Sequence, residues 1–150
     1  MKKIFIYYSL TGNGENVSEY LSSKGIETRR VETKTKMPNS FFLQIIIGGY
    51  KAGVGYKDEL LDFDSNLDNY DEIIIGSPIW NARLSSPINT VLEKLNLKDN
   101  KKKISFVLYS GSGTSPKATE KINSLFPEAN IIDLKNPKKN DEELKKLDIL

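Results

Sequence analysis

The chain has 150 residues, with 22 Lys and Arg against 20 Asp and Glu, a formal net charge of +2, and no Cys or His. These absences exclude a disulfide-stapled fold, a Cys/His zinc site, a cysteine nucleophile and a histidine general base. The length predicts one domain, residues 1–150, and the balanced charge argues against a nucleic-acid partner. No apolar run approaches the roughly 18 residues of a membrane span, and no signal-peptide pattern opens the chain. We therefore expect a cytoplasmic protein.

Apolar runs alternate with amphipathic segments along the chain, which predicts a parallel sheet covered by helices on both faces. The predicted strands are residues 4–8, 26–31, 73–75, 104–109 and 131–134. The predicted helices are residues 13–24, two that open at Ser86-Pro87 and Ser115-Pro116, and residues 141–147. Gly76 is expected to end the third strand, and Ser86 to cap a helix whose first position is Pro87. The expected fold is α/β, a doubly wound five-stranded parallel sheet in the order 2-1-3-4-5.

Two stretches depart from this alternation. Residues 38–56 begin with an apolar half that fits a buried helix or a strand, and helix is favoured because Phe42, Ile45 and Ile46 share one helical face. The glycine-rich second half, which contains Gly48 and Gly49, is predicted to be a loop. Residues 58–72 carry seven acids and no base, which predicts a solvated, extended connection.

The loop after the first strand is a candidate phosphate site, because ligands of open parallel sheets bind beyond the carboxyl ends of the strands. Backbone N–H groups and the dipole at a helix start can hold a phosphate, and glycines let the backbone approach it. No Lys or Arg lies in this loop, so neutral donors would hold the phosphate. The same composition also fits an ordinary strand-to-helix turn. The loop consists of Ser9, Leu10, Thr11, Gly12, Asn13 and Gly14.

Two further loops follow strands three and four, which would neighbour the first strand in this sheet order. One carries the only Trp, which can stack on a planar ligand or cap the core. The other has two glycines among hydroxyls, which fits binding of a heterocycle's polar edge or a flexible loop before a helix. Together the three loops predict a site for flavin mononucleotide (FMN). The residues concerned are Ser77, Pro78, Ile79, Trp80 and Asn81, and Ser110, Gly111, Ser112 and Gly113.

These motifs resemble the flavodoxin family, in order and over nearly the whole chain. Residues 8–14 are similar to the family's phosphate loop. The Gly-Ser-Pro-Ile-Trp segment at 76–80 resembles a loop of a short flavodoxin-like branch, as do Gly48-Gly49 and the Ser85-Ser86-Pro87 helix start. Residues 110–113 are similar to the loop that contacts the pyrimidine end of the flavin ring. In general, proteins with the flavodoxin-like sheet order bind FMN at the switch point, the place where the strand order reverses.

The resemblance implies non-covalently bound FMN and electron transfer between redox partner proteins. It assigns phosphate binding to Ser9 and residues 11–14, ring contacts to residues 78–80, and edge hydrogen bonds to residues 110–113. Three features depart from the family pattern. Gly14 stands where the family has Thr, the net charge is slightly basic rather than acidic, and residues 38–56 form an insertion able to cover the flavin or an adjacent pocket.

An electron carrier is favoured over a substrate-converting oxidoreductase, and no catalytic residue or metal ligand is predicted. The alternative is an FMN-dependent reductase of quinones or nitro compounds that uses NAD(P)H. In that case Tyr50, Lys51, Tyr56 and Lys57 would line a pocket for nicotinamide and substrate. A third hypothesis is a flavin-free module whose lysines at 101–103 and 138–139 bind an anionic partner, although lysine runs usually form a solvated face.

Overall fold

A central sheet with helices on both faces organises the computed structural model, which describes residues 1–99 and 101–150. Its strands are β1 (Lys3–Tyr7), β2 (Glu27–Arg30), β3 (Glu72–Trp80), β4 (Arg83–Leu84), β5 (Lys103–Ser110) and β6 (Asn130–Lys135). Its helices are α1 (Asn13–Ser23), α2 (Phe41–Gly53), α3 (Ser86–Leu95), α4 (Pro116–Leu125) and α5 (Asp141–Leu144). Short 3₁₀ helices cover Leu97–Asp99 and Lys145–Ile149.

Five strands pair in parallel in the order β2-β1-β3-β5-β6. This confirms the predicted α/β fold and the order 2-1-3-4-5, because β5 and β6 are the fourth and fifth parallel strands. The short β4 was not predicted, and it pairs antiparallel with the end of β3. The hairpin turns within two residues, Asn81 and Ala82, whose φ angles are 51° and 60°. Positive φ at both positions is the type I′ turn that suits the twist of a hairpin.

The sheet separates two apolar clusters because successive side chains of a strand point to opposite faces. In β1, Ile4 and Ile6 pack on the face covered by α3 and α4, whereas Phe5 packs on the face covered by α1. Central strands buried on both faces explain the uninterrupted apolar runs in the sequence. Within the described residues, no helix is both long and apolar enough to cross a membrane.

The predicted end of the third strand and the predicted cap of the helix after it are wrong. Strand β3 continues through Gly76 to Trp80, because this glycine makes room for a neighbour in the sheet rather than ending it. A Cβ at Gly76 would lie 2.4 Å from Cζ of Phe5. Helix α3 is capped by Ser85, one residue earlier than expected, and the Ser86 hydroxyl donates instead to the Asp58 carboxylate.

The insertion at 38–56 is a helix, as favoured, but the predicted loop in its glycine-rich half is wrong. Helix α2 runs through Gly48 and Gly49, and it packs inward through the small buried residues Gly48 and Ala52. The expected burial of the apolar face is also wrong, since the exposed fractions of Phe42 and Ile45 are 69% and 57%. Small residues therefore bring α2 close to the sheet, while its large apolar side chains remain outside.

The acidic connection contains neither helix nor strand between residues 58 and 71, but its predicted solvation is wrong at two carboxylates. Asp58 is buried and pairs with Lys51, with 2.6 Å between Oδ1 and Nζ. Glu72 is fully buried at the start of β3. Its two carboxylate oxygens lie 3.3 Å from the Nζ atoms of Lys3 and Lys103, and Ser105 Oγ donates to it at 2.7 Å.

The last predicted helix, residues 141–147, is shorter than expected. Helix α5 ends at Leu144, and the chain tightens into the 3₁₀ helix that begins at Lys145. Leu144 and Leu147 both reach the cluster beneath α1, so the tighter turn still places two apolar side chains on one face.

Candidate functional site

A cleft of about 320 Å³ lies beyond the carboxyl ends of β1, β3 and β5. Small-molecule sites in proteins span about 300–1,000 Å³, so this cleft can take a ligand of cofactor size. It lies where the strand order reverses, because the chain passes from β1 through α1 to β2 on one side and then from β2 through α2 to β3 on the other side of β1. The structure brings nine predicted site residues to its lining: Leu10, Thr11, Asn13, Pro78, Ile79, Trp80, Asn81, Ser110 and Gly111.

The other six predicted site residues do not line the cleft. Ser77 is buried, and its hydroxyl donates to the Pro78 carbonyl and accepts the Ser85 N–H at 3.1 Å, which fixes the turn after β3. Gly113 donates its N–H to Ser110 Oγ at 2.9 Å, and Ser112 Oγ accepts the N–H of Thr114. These bonds shape the loop between β5 and α4. The remaining three, Ser9, Gly12 and Gly14, build the first loop.

The loop between β1 and α1 is held in shape by one hydroxyl. Ser9 Oγ accepts the Gly14 N–H at 3.1 Å and donates to the Glu15 carboxylate. A side chain at Gly14 has no space, because a Cβ there would lie 2.6 Å from Ser9 Cβ and 2.8 Å from Tyr109 Oη. Gly12 has a φ of 99°, which suits glycine. The residue types at 12 and 14 therefore follow from backbone shape and packing.

Backbone N–H groups remain available in this loop. The first N–H groups of any helix have no intrahelical acceptor. Within residues 1–99 and 101–150, the N–H groups of Gly12 and Asn13 have no protein acceptor. Thr11 and Asn13 line the cleft. The loop can therefore present backbone donors and a helix dipole to an anion.

Two cations approach the first loop from other parts of the chain. Arg30 donates to the Ser9 carbonyl at 3.3 Å, and its guanidinium pairs with Glu15 and Glu32. Lys138, from the loop between β6 and α5, donates its Nζ to the Thr11 carbonyl at 3.2 Å. The loop itself contains no Lys or Arg, as the sequence shows, but the tertiary structure places two cations from other parts of the chain beside it.

The opposite part of the cleft is apolar and aromatic. The Trp80 ring meets the Tyr8 ring edge-on, with 5.9 Å between centroids and 89° between planes. Helix α2 lies against Trp80 at Gly48, where an added Cβ would be 3.1 Å from Trp80 Cδ2. Together with Pro78 and Ile79, this ring forms a surface on which a planar heterocycle can stack.

The tyrosines beneath the cleft stay neutral. Tyr109 is buried, its hydroxyl donates to the Tyr8 carbonyl, and burial raises its pKa well above the usual value. Burial is also the main cause that raises the pKa of Tyr8 to about 12. Neither phenol therefore adds negative charge beside a bound anion at neutral pH.

Six lining residues were not predicted: Phe41, Gln44, Ile45, Gly49, Tyr109 and Asn136. Four of them belong to α2. Phe41, Ile45 and Gly49 recur every four residues, and this helical spacing was the signal that could have identified the wall. Tyr109 is the next-to-last residue of β5, and Asn136 directly follows β6. The carboxyl ends of parallel strands meet at one edge of the sheet, so both positions could have been expected there.

The four residues expected to line a nicotinamide pocket do not line this cleft. Lys51 pairs with Asp58, and Lys57 pairs with Glu93 at 2.8 Å. Tyr50 and Tyr56 lie on the outside of the α2 region, with exposed fractions of 69% and 49%. In the part of the chain that the structure describes, no group of three or more acidic side chains could hold a metal ion.

The sheet order, the cleft at its switch point and the two loops with their stacking ring define a flavodoxin-like α/β protein. The model of the family described as Flavodoxin matches residues 55–147, more than half of the chain. The chain therefore belongs to the flavodoxin family, as predicted. A comparison with curated proteins found no match.

Solved structures share this fold. A putative flavoprotein from Bacteroides eggerthii is 18% identical with a TM-score of 0.74, over 97% of this chain and 96% of that one. A flavoprotein from Lactobacillus acidophilus, solved in complex with FMN, is 22% identical with a TM-score of 0.68, over 94% of this chain and 97% of that one. A putative flavoprotein from Bacteroides uniformis is 18% identical with a TM-score of 0.71, over 96% and 97%.

Proposed function

We propose that this chain binds FMN non-covalently in the cleft and carries electrons between redox partner proteins in the cytoplasm. One observation carries the proposal: a loop with free backbone donors, an aromatic stacking surface and a second glycine loop line one cleft at the sheet's switch point. Family membership and the FMN complex of the Lactobacillus acidophilus flavoprotein support the choice of cofactor.

The donor set of the cleft fits the phosphate of FMN, the face of its flavin ring and the polar edge of that ring. Residues of the first loop, Thr11 to Asn13, would hold the phosphate through N–H groups and the α1 dipole. Trp80 would stack on the flavin ring, and Ser110 with Gly111 would bind its polar edge. FMN, when bound, supplies the redox chemistry, and the protein binds and orients it and excludes water.

The first test of the proposal is a binding titration with two flavins. Purified protein is titrated with FMN and with riboflavin, which lacks the phosphate, and quenching of flavin fluorescence is measured. We expect FMN to bind at least about tenfold more tightly, since only FMN engages the first loop. If the protein binds neither FMN nor riboflavin, the proposal is overturned.

The second test separates a carrier from a reductase. Stepwise photoreduction of the FMN-loaded protein should proceed in two separated one-electron steps, and NADH or NADPH alone should reduce it slowly. Rapid reduction by either nucleotide would favour the reductase. No feature of the cleft supports that alternative, because the residues expected to line its nicotinamide pocket lie elsewhere.

A further inference from the structure

Lys138 connects two loops that are far apart in the sequence. Its backbone N–H donates to Asn13 Oδ1 at 3.1 Å, and its Nζ donates to the Thr11 carbonyl at 3.2 Å. Both acceptors belong to the first loop, and both residues line the cleft. The lysine is therefore fixed at two points, backbone and side chain, against the loop that would hold the phosphate.

The ammonium group of Lys138 has more N–H donors than it uses in the protein. A lysine carries three N–H donors, and the structure gives Lys138 Nζ one acceptor. Within residues 1–99 and 101–150, no carboxylate forms an ion pair with it. Arg30, the other cation at this loop, is paired with Glu15 and Glu32. Lys138 thus supplies positive charge that the protein does not itself neutralise.

The packing at Gly12 keeps this position open to the lysine. A Cβ at Gly12 would lie 2.9 Å from Lys138 Nζ and 3.0 Å from its Cδ. Any other residue at 12 would push the side chain away from the loop. The glycine therefore allows both the backbone turn and the approach of the cation.

The loop itself offers few other groups to an anion. The Ser9 hydroxyl is buried and engaged by Gly14 and Glu15, and Gly14 has no space for a side chain. Among the polar side chains of this loop, those of Thr11 and Asn13 line the cleft, and Asn13 Oδ1 already accepts from Lys138. To bind an anion, the first loop therefore relies mainly on its backbone N–H groups, unless a charged side chain from another part of the chain contributes.

We propose that Lys138 is the phosphate-binding cation of this cleft and determines its preference for FMN over uncharged riboflavin. The proposal rests on the proposed function, since it assigns the anion to the phosphate monoester of FMN. Such a phosphate carries a charge of about −1.5 to −2 at pH 7. A hydrogen bond between an ammonium and this group is charge-assisted and stronger than one between neutral partners.

The test compares Lys138→Gln with the matched control Lys139→Gln, which removes the same charge from the neighbouring exposed position. Dissociation constants for FMN and riboflavin are measured at low ionic strength and in about 1 M salt, where the Debye length falls to about 3 Å. At low ionic strength we expect Lys138→Gln to weaken FMN binding about tenfold and to leave riboflavin binding within about twofold. In high salt the loss should shrink to less than about threefold. Lys139→Gln should match the wild type, and Lys138→Arg should restore most of the FMN affinity.

Two results would overturn this role while leaving the proposed function intact. In the first, Lys138→Gln and wild type bind FMN with equal affinity, and both bind FMN more tightly than riboflavin. The first loop would then bind the phosphate without Lys138. In the second, Lys138→Gln weakens both flavins equally, so the lysine only supports the loop. If the wild type binds neither flavin, the proposed function fails and this assignment fails with it.

Discussion

The two ends of the sheet differ in whether their charged side chains are paired within the protein. At the amino end, which we call the closed end, Lys3, Lys103 and Ser105 contact the buried Glu72 carboxylate, so groups within the protein compensate for its charge. At the carboxyl end, which we call the open end, Lys138 lies against the first loop beside the cleft and has no ion pair among the described residues. The N–H groups of Gly12 and Asn13 in that loop lack acceptors in the same part of the chain. Strand β3 contributes to both ends, with Glu72 at its start and Trp80 at its close.

The difference separates structural charge from charge that is available to a ligand. A buried carboxylate persists only when cations and donors compensate for its lost hydration. Glu72 therefore belongs to the stability of the fold. Exposed donors cost little when they face water, so a cleft can keep them free for an anion. Changes at the first end should alter stability, and changes at the second should alter binding.

The largest expected effect is at the closed end. Lys3→Met should lower the free energy of unfolding by about 2–3 kcal/mol, because Glu72 Oε2 is buried and loses its nearest cation. Lys2→Met is the control, since Lys2 pairs with the exposed Glu27 at 3.9 Å, and it should cost less than about 1 kcal/mol. Urea unfolding measures both. Equal losses would mean that the Glu72 cluster contributes no more than a surface pair.

A second substitution tests the apolar part of the open end. Trp80→Leu should weaken FMN and riboflavin alike, each by roughly fivefold to tenfold, because aromatic pairing contributes about 0.5–1.5 kcal/mol beyond area burial. Trp80→Phe keeps an aromatic face and should lose less. Both are measured by the flavin titration. A loss confined to FMN would contradict ring stacking, since the ring is common to both ligands.

The smallest expected effect concerns the hairpin that carries the open end. Ala82→Gly should raise the free energy of unfolding by about 0.5 kcal/mol, because alanine at a φ of 60° is strained and glycine is not. Asn81→Gly provides the comparison, since asparagine tolerates the left-handed region and should gain nothing. Thermal unfolding of the two variants measures these changes. Equal gains in the free energy of unfolding would show that the turn is unstrained at Ala82.

Helix α2 shows where the sequence was insufficient. Its apolar side chains predicted burial, but the helix approaches the sheet through Gly48 and Ala52, and Phe42 stays exposed. Periodicity reports which side chains share a face, but not which face meets the core. The glycines suggested a loop for the same reason, because close helix packing and loop flexibility both favour residues without a side chain.

The sequence by itself determined the order of the five parallel strands and the helices, and the position of the first loop, because alternation and glycine spacing are local properties of the chain. It also excluded a cysteine nucleophile, a histidine general base and a Cys/His zinc site, since the chain has no Cys or His. Only the tertiary structure decided which residues complete the cleft. Lys138 meets Asn13 across 125 positions of sequence, and Glu72 meets Ser105 across 33. Such contacts depend on which strands become neighbours and where their loops meet, which no local pattern encodes.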